Sequence, residues 1–269
     1  MTVITPPSFG DYLRHLRVAG ETPGFPSGRP SMPKPRLSRT QLAAAADTSV
    51  GYVTKLEQGH ADNPSPEMVD RLATALTATE VERQHLHDLA VYPHGPEPTA
   101  SVVVPTASMI TPVQREYVDH LHPHLSGYVD EAWNVLYANA EYVRLYRRLD
   151  VLGNVLVWFF GERQSRRIMV EWETEARLTV AWLRAHMARR PGNPLFAAVL
   201  RELSRYPEFV RMWELREILM GRHTPYMRVR DLDRGEEVPL LAQVYPSPDP
   251  GQPVQLYLGV RTDLVRAAG

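Results

Sequence analysis

Apolar residues recur at helical spacing through the first 91 residues and at mixed spacing afterwards. Phe9, Leu13 and Leu16 fall on one helical face. So do Leu42, Ala45 and Ala46, then Val53 with Leu56, then Met68, Leu72 and Leu76, then Val81 and Leu89. Spacings of three and four mark a single buried stripe per helix. The polar residues between them supply start signals. Ser38-x-x-Gln41 and Thr79-x-x-Glu82 are capping boxes, and Ser65-Pro66 sets an N-cap before a proline at the first helical position. The pattern predicts five short helices in an all-α domain over residues 1–91. Glu21 to Arg36, with five prolines and two glycines, reads as a loop between the first two helices.

Tyr92 to Pro112 is rich in proline and small polar residues and reads as a linker. Beyond it, residues 113–265 mix the two periods. Tyr128–Asp130 and Val135–Tyr137 predict short strands around a turn. Helices are expected over Glu141–Arg148, Met169–Arg189, Leu195–Ser204 and Glu208–Leu219. Strands return at Tyr226–Arg230, Val238–Tyr245 and Gln255–Val260, with turns at Asp233-Arg-Gly and Pro248-Asp-Pro-Gly. Strands, a helical block, then strands make an α+β domain. The fold class expected is therefore two domains, all-α then α+β.

Composition narrows the chemistry. The 269 residues are 43% hydrophobic and 23% charged, with a net charge of −1. That balance suits a globular protein and does not by itself announce a nucleic-acid partner. The chain has no cysteine, which removes disulfides, Cys-ligated zinc and thiol nucleophiles. Lys34 and Lys55 are the only lysines, so no Schiff base or Ser–Lys dyad can form in the second domain. MTVITPPSFGD lacks the basic and apolar regions of a signal peptide. VLVWFF, Val155 to Phe160, is too short to span a bilayer. A cytoplasmic location with no membrane partner is expected.

The stretch RTQLAAAADTSVGYVTKLEQG, Arg39 to Gly59, has the makings of a helix-turn-helix. Two helices that cross closely need small residues on the inner face of the first, and Ala43 to Ala46 supply them. Asp47-Thr48 makes the turn, Ser49 caps the second helix, and Gly59 ends it where positive φ is needed. Val53 and Leu56 point inward, leaving Val50, Gly51, Tyr52, Thr54 and Lys55 for a DNA major groove. From Arg14 to Lys55 there are seven basic residues (Arg14, Arg17, Arg29, Lys34, Arg36, Arg39 and Lys55) against two acids, Glu21 and Asp47. Phosphate contacts need such a one-sided field.

These residues carry a resemblance. LSRTQLAAAADTSVGYVTKLEQG resembles the helix-turn-helix of Xre-type, lambda-repressor-like regulators, and more closely the MmyB-like subgroup common in actinobacteria. The Pro/Gly/basic insertion PGFPSGRPSMPKPR, the Ser-Pro helix NPSPEMVDRLATAL and ERQHLHDLA extend the likeness across Ser8 to Val91. The resemblance implies base contacts at Val50, Gly51 and Lys55 and backbone contacts at Arg39, Ser49 and Tyr52. Asp47 departs from the family's usual glycine and must bear a left-handed turn. NVLVWFFGERQSRRIMVEWETEAR and ELSRYPEFVRMWELREI resemble the MmyB-like, PAS-like ligand-binding domain. Asp130 before a turn and Asn139 opening a helix fit its first hairpin. The family implication is a ligand-responsive, homodimeric transcription regulator on a double-stranded DNA operator. Its ligand would be small, and apolar or fatty-acid-like.

The apolar residues Trp158, Phe159, Phe160, Trp172, Trp182, Met212, Trp213 and Tyr245 are the candidates for such a pocket, though an aromatic stripe also makes ordinary core. Arg166, Arg167 or Arg216 would meet a ligand carboxylate. The histidines of DHLHPH (His120, His122 and His124) lie close in sequence, but Pro123 breaks their face and nothing completes a metal set. His85 and His87 point apart on a helix, and the adjacent Asp130 and Glu131 are no acid–base pair. No nucleophile stands beside its base, so no enzyme, cofactor or metal is expected. The alternative reading is a protein-interaction module, antitoxin-like, with no small-molecule ligand.

Overall fold

A computed structural model of the chain describes residues 4–19, 36–61, 63–91, 106–222, 224–247 and 252–267. Most of the expected loop at 21–36, most of the linker at 92–112 and the turn at Pro248–Gly251 lie outside the described residues.

The first domain is a bundle of α1 (Phe9–Ala19), α2 (Arg39–Ala45), α3 (Val50–Glu57), α4 (Pro66–Ala75) and α5 (Glu80–Val91). Its starts follow the polar signals. Ser38 and Gln41 close a full capping box on α2, Ser49 accepts from the Tyr52 N–H, and Ser65 accepts from the Met68 N–H ahead of Pro66. Thr79 and Glu82 close the box on α5. Asp47 takes φ 49 and Gly59 takes φ 68, the two left-handed turns the helix-turn-helix requires.

The buried faces differ in detail from the expected stripes. Ala43 and Ala46 are buried with Leu42 while Ala45 is exposed, because α3 crosses α2 on the Ala43 side. Val69 is buried in place of Met68. On α5 the inner face is His85, Leu86 and Leu89, and Val81 is only half-buried. Gly10 of α1 lets that helix touch the end of α3. A Cβ at Gly10 would sit closer than 3.0 Å to the Leu56 carbonyl oxygen.

The second domain opens with a 3₁₀ turn (Ala107–Met109) and α6 (Pro112–His120), which starts at a Thr111–Gln114 capping box. Then come β1 (Leu125–Asp130), β2 (Val135–Ala138), α7 (Ala140–Leu145), α8 (Leu149–Leu152), α9 (Val155–Gly161) and α10 (Ser165–Ile168). The long α11 (Trp172–Arg189), α12 (Pro194–Leu203) and α13 (Pro207–Glu214) complete the helical block. The chain returns as β3 (Tyr226–Asp231), β4 (Glu236–Pro246), β5 (Val254–Arg261) and α14 (Thr262–Ala267). All neighbours in the sheet are antiparallel, in the order β2-β1-β5-β4-β3. The α+β expectation therefore holds, with two adjustments. VLVWFF forms α9 behind an Asn154 cap, and α11 starts at Trp172 because Met169 pairs with Val229 of β3 instead.

One face of the sheet packs on the helical block through Leu125, Val129 and Leu240, against Trp158, Phe209 and Leu183. Apolar burial of this kind, at roughly 25 cal/mol per Å², is what holds the two layers together. The first domain sits on the far end of α11. Ala188 is buried in the first domain's own core, Arg189 pairs with Asp88 of α5 at 3.0 Å, and Arg216 pairs with Asp11 of α1 at 3.0 Å.

Candidate DNA-binding surface and ligand cavity

At the first site, α3 buries Val53 and Leu56 and leaves Val50, Gly51 and Lys55 exposed. Val50 is 41% exposed. Space over Gly51 is open, since a Cβ there would meet only Ser49 Oγ at 3.9 Å. Ser49 is exposed with its hydroxyl committed to the cap. Tyr52 is half-buried against the bundle core, and Thr54 turns its hydroxyl back to the Val50 carbonyl at 2.8 Å. The ridge is not sealed by the second domain.

The charges around the ridge are arranged differently from the simple tally. Glu57 lies two residues past the counted window, with its carboxylate fully buried. It receives Arg17 through two bonds, at 2.5 and 3.0 Å, and Arg39 at 2.7 Å. Burial alone would raise its pKa, but the Arg17 and Arg39 bonds hold it below the usual carboxylate value. Arg39 is thus a clamp on α3 that still shows 39% of its side chain. Arg14 faces a crevice shared with Arg216 of the second domain. Asp47 lies near Arg71 at 3.6 Å. Arg36 and Lys55 are the exposed cations of the original set outside these engagements; Arg29 and Lys34 lie outside the described residues.

The second site is a cavity of about 70 Å³ between the sheet and the helical block. Its walls are aromatic: Trp133, Tyr142, Tyr146, Trp158, Phe159 and Tyr257, with Met169 and Met227. Two polar features face it. Arg222 and Glu175 form a two-bond ion pair, both bonds 2.7 Å, and the Tyr146 and Tyr257 hydroxyls lie 2.9 Å apart. Burial raises the Tyr146 phenol well above its ordinary value and pushes Tyr257 up to about 12, so both stay neutral hydrogen-bonding groups. Burial pulls Arg222 down, but the Glu175 bond outweighs it and raises its pKa.

Of the residues proposed from sequence, Trp158 and Phe159 line this cavity. The others do not. Trp172 hydrogen-bonds the Phe159 carbonyl and Ser165 Oγ and carries Arg166 over its ring at 3.6 Å. Met212 and Trp213 are buried in the packing of α13, Tyr245 is 44% exposed on the sheet, and Phe160 and Trp182 stand outside the lining. Arg166 pairs with Glu208, the Arg167 carbonyl accepts from Arg230, and Arg216 reaches Asp11. Arg222 is the arginine at the cavity. Tyr142, Tyr146, Tyr257 and the Glu175–Arg222 pair line it as well, and none of them belongs to the expected aromatic set. One signal was present: Tyr257 falls within the strand expected over Gln255–Val260, and that strand pairs with β1.

The remaining chemical candidates separate. His120 Nδ1 lies 2.7 Å from the Glu116 carbonyl, and His124 Nδ1 accepts from the Arg261 N–H. Among the described residues no group of three His, Cys, Asp or Glu side chains could hold a metal ion. Asp130 accepts from Ala132 N, Asn134 N and Asn134 Nδ2, making the turn between β1 and β2; burial still raises its pKa against those bonds. Asn139 caps α7 as expected. Among the described residues no helix is long and apolar enough to cross a membrane.

Two family models match the chain. One, described as the MmyB-like transcription regulator ligand binding domain, matches residues 110–258, more than half of the sequence. The other, described as a helix-turn-helix domain, matches residues 8–86. No curated protein matches. A solved structure titled "Structure of an RNA-binding Light-Oxygen-Voltage Receptor" is 14% identical over 86% of this chain, at a TM-score of 0.26. The chain spans 57% of that protein's length, and a likeness at this level bears on neither fold nor function.

Proposed function

The chain belongs to the MmyB-like transcription regulators, a DNA-binding helix-turn-helix joined to a ligand-binding domain, and from that premise we propose how each part works. The α3 ridge enters the major groove of an operator. Lys55 donates to base edges, Val50 packs on thymine methyls, and Gly51 brings the backbone close. Ser49, Tyr52, Thr54 and Arg39 position the helix on the phosphates. A homodimer presents two such helices to a two-fold site. Residues 1–91 make the reading unit, 92–112 the connection and 113–265 the sensor, and the protein works in the cytoplasm without catalysing a reaction.

The single observation that carries this reading is the exposed, small and cationic edge of α3 beside a helix start capped by the Ser49 side chain. The sensor reading rests on the aromatic cavity. Ligand sites commonly measure about 300–1,000 Å³, so this one must widen to admit a ligand, and Met169 and Met227 are the side chains able to yield. An apolar body against Trp158, Phe159 and Tyr257, with its polar end at the Tyr146–Tyr257 hydroxyls or at Arg222, fits the walls. A fatty-acid carboxylate would have to displace Glu175 from Arg222, so the fit favours a compact apolar molecule over an acid.

The experiment is native mass spectrometry of the purified chain, followed by identification of what organic solvent releases. A stoichiometric small molecule, lost in Trp158→Ala, supports the cavity. A chain that stays unliganded in extract, and whose DNA affinity no extract fraction alters, would leave the sensor reading without foundation.

A further inference from the structure

Away from the aromatic cavity, another space, partly open and of about 150 Å³, lies in the seam between the domains. Asp11 of α1 borders it on one side, and Arg184, Trp213, Glu214 and Arg216 on the other. Arg184 comes from the middle of α11 and is only 3% exposed. Its guanidinium lies over the Trp213 ring at 4.0 Å and donates to the Trp213 carbonyl. Its Nε has no hydrogen-bond partner, and no carboxylate among the described residues pairs with it.

That arrangement is unusual. A buried charge is ordinarily paired, since desolvation costs several kcal/mol per ion. Burial and the nearby Arg216 lower the Arg184 pKa to about 9, which leaves it cationic at neutral pH. Neither carboxylate on the lining pairs with it: Asp11 is held by Arg216 through two bonds, at 3.0 and 3.2 Å, and Glu214 is exposed. Arg216 is fixed there by a left-handed backbone, φ 55, directly after α13. On its other side it shares a crevice with Arg14 and His15. Arg184 is thus the buried cation at this space without a carboxylate partner, although Asp11 and Glu214 also line it.

We propose that this seam cavity binds a small oxyanion, a phosphate or carboxylate group, which pairs with Arg184 and Arg216 and fastens the DNA-reading domain to α11. A space this size takes a group of about five heavy atoms, given a water's share of ~30 Å³ in the liquid. Guanidinium planes suit such oxygens through paired N–H donors. The site is separate from the aromatic cavity, so either proposal can fail without the other.

The test is isothermal titration calorimetry of the full chain at pH 7. One arm uses inorganic phosphate and another uses acetate, both with ionic strength held constant by sodium chloride. Saturable binding of one anion per chain is expected in at least one arm, and the stronger arm tells phosphate from carboxylate. Arg216→Gln should weaken it about tenfold, and Asp11→Asn should tighten it several-fold by freeing Arg216. Arg184→Met should abolish it. If that variant does not fold, the opposite shifts of the two partly exposed positions decide. Absence of saturation up to about 10 mM in both arms, or variants that bind like the wild type, would overturn the proposal.

Discussion

Gly51 separates folding from recognition. Its surroundings are open, so Gly51→Ala fits the structure, and helix propensity favours it by up to about 1 kcal/mol. If the helix approaches bases at this point, the same methyl holds it off. The expected outcome is an unchanged or higher Tm in thermal melts, together with operator affinity lower by about tenfold in an anisotropy titration. Gly10 is its opposite. A methyl there runs into the Leu56 carbonyl and the Glu57 backbone, so Gly10→Ala must push α1 off α3. Overpacking of that kind costs about 1–3 kcal/mol, which a urea midpoint would register. A substitution that left the midpoint unmoved would mean the two helices are not in such close contact.

Glu57 ties three helices together, since Arg17 comes from α1, Arg39 from α2 and Glu57 itself from α3. Its folded pKa is depressed below the value of 4.5, so its contribution is complete above that pH and is lost as acid carries the solution through the lower folded value. Glu57→Gln should remove that acid-sensitive component and cost about 1–3 kcal/mol at pH 7, read by urea unfolding at each pH. How much of this could be read from sequence follows the distance between partners. The caps at Ser38, Ser49, Ser65 and Asn139 were legible because each closes on a neighbour three residues away. β3 was legible by alternation, with every second residue from Met227 to Asp231 buried. The Arg39–Glu57 clamp was not, because Glu57 falls outside the charge window. The cavity was not, because Tyr146 meets Tyr257 across 111 positions and Arg222 meets Glu175 across 47. The buried His85 hid because helical spacing favours Leu and Val, and a histidine stacked edge-on to Tyr12 at 4.7 Å looks polar in a sequence.

At the scale of the molecule, α11 is the common part. It offers Glu175 and Thr179 to the aromatic cavity and Arg184, Ala188 and Arg189 to the seam, roughly 13 Å further along at about 1.5 Å per residue. A ligand that widens the cavity bears on the same rigid rod that seats the DNA-reading domain, and any effect on DNA must equal its differential affinity for the two states. The fold is also acid-sensitive. Burial and neighbouring arginines lower His15 to about 4, His85 to about 3 and His186 to about 4, from an ordinary 6.5. Their neutral forms stabilise the fold fully above pH 6.5, and that stability drains away as pH falls toward 4 because the unfolded chain binds more protons. Urea unfolding from pH 7 to 4.5 should show this slope, reduced by about one proton in His85→Leu. An unchanged slope would place His85 outside the titrating set. The most direct test of the whole account is fluorescence anisotropy on an operator selected from random DNA, comparing the wild type with the Gly51→Ala/Lys55→Ala double variant. The account predicts a wild-type Kd at least about tenfold tighter on the selected operator, with the gap closing on random DNA. Equal affinity of the two proteins for the operator would contradict it.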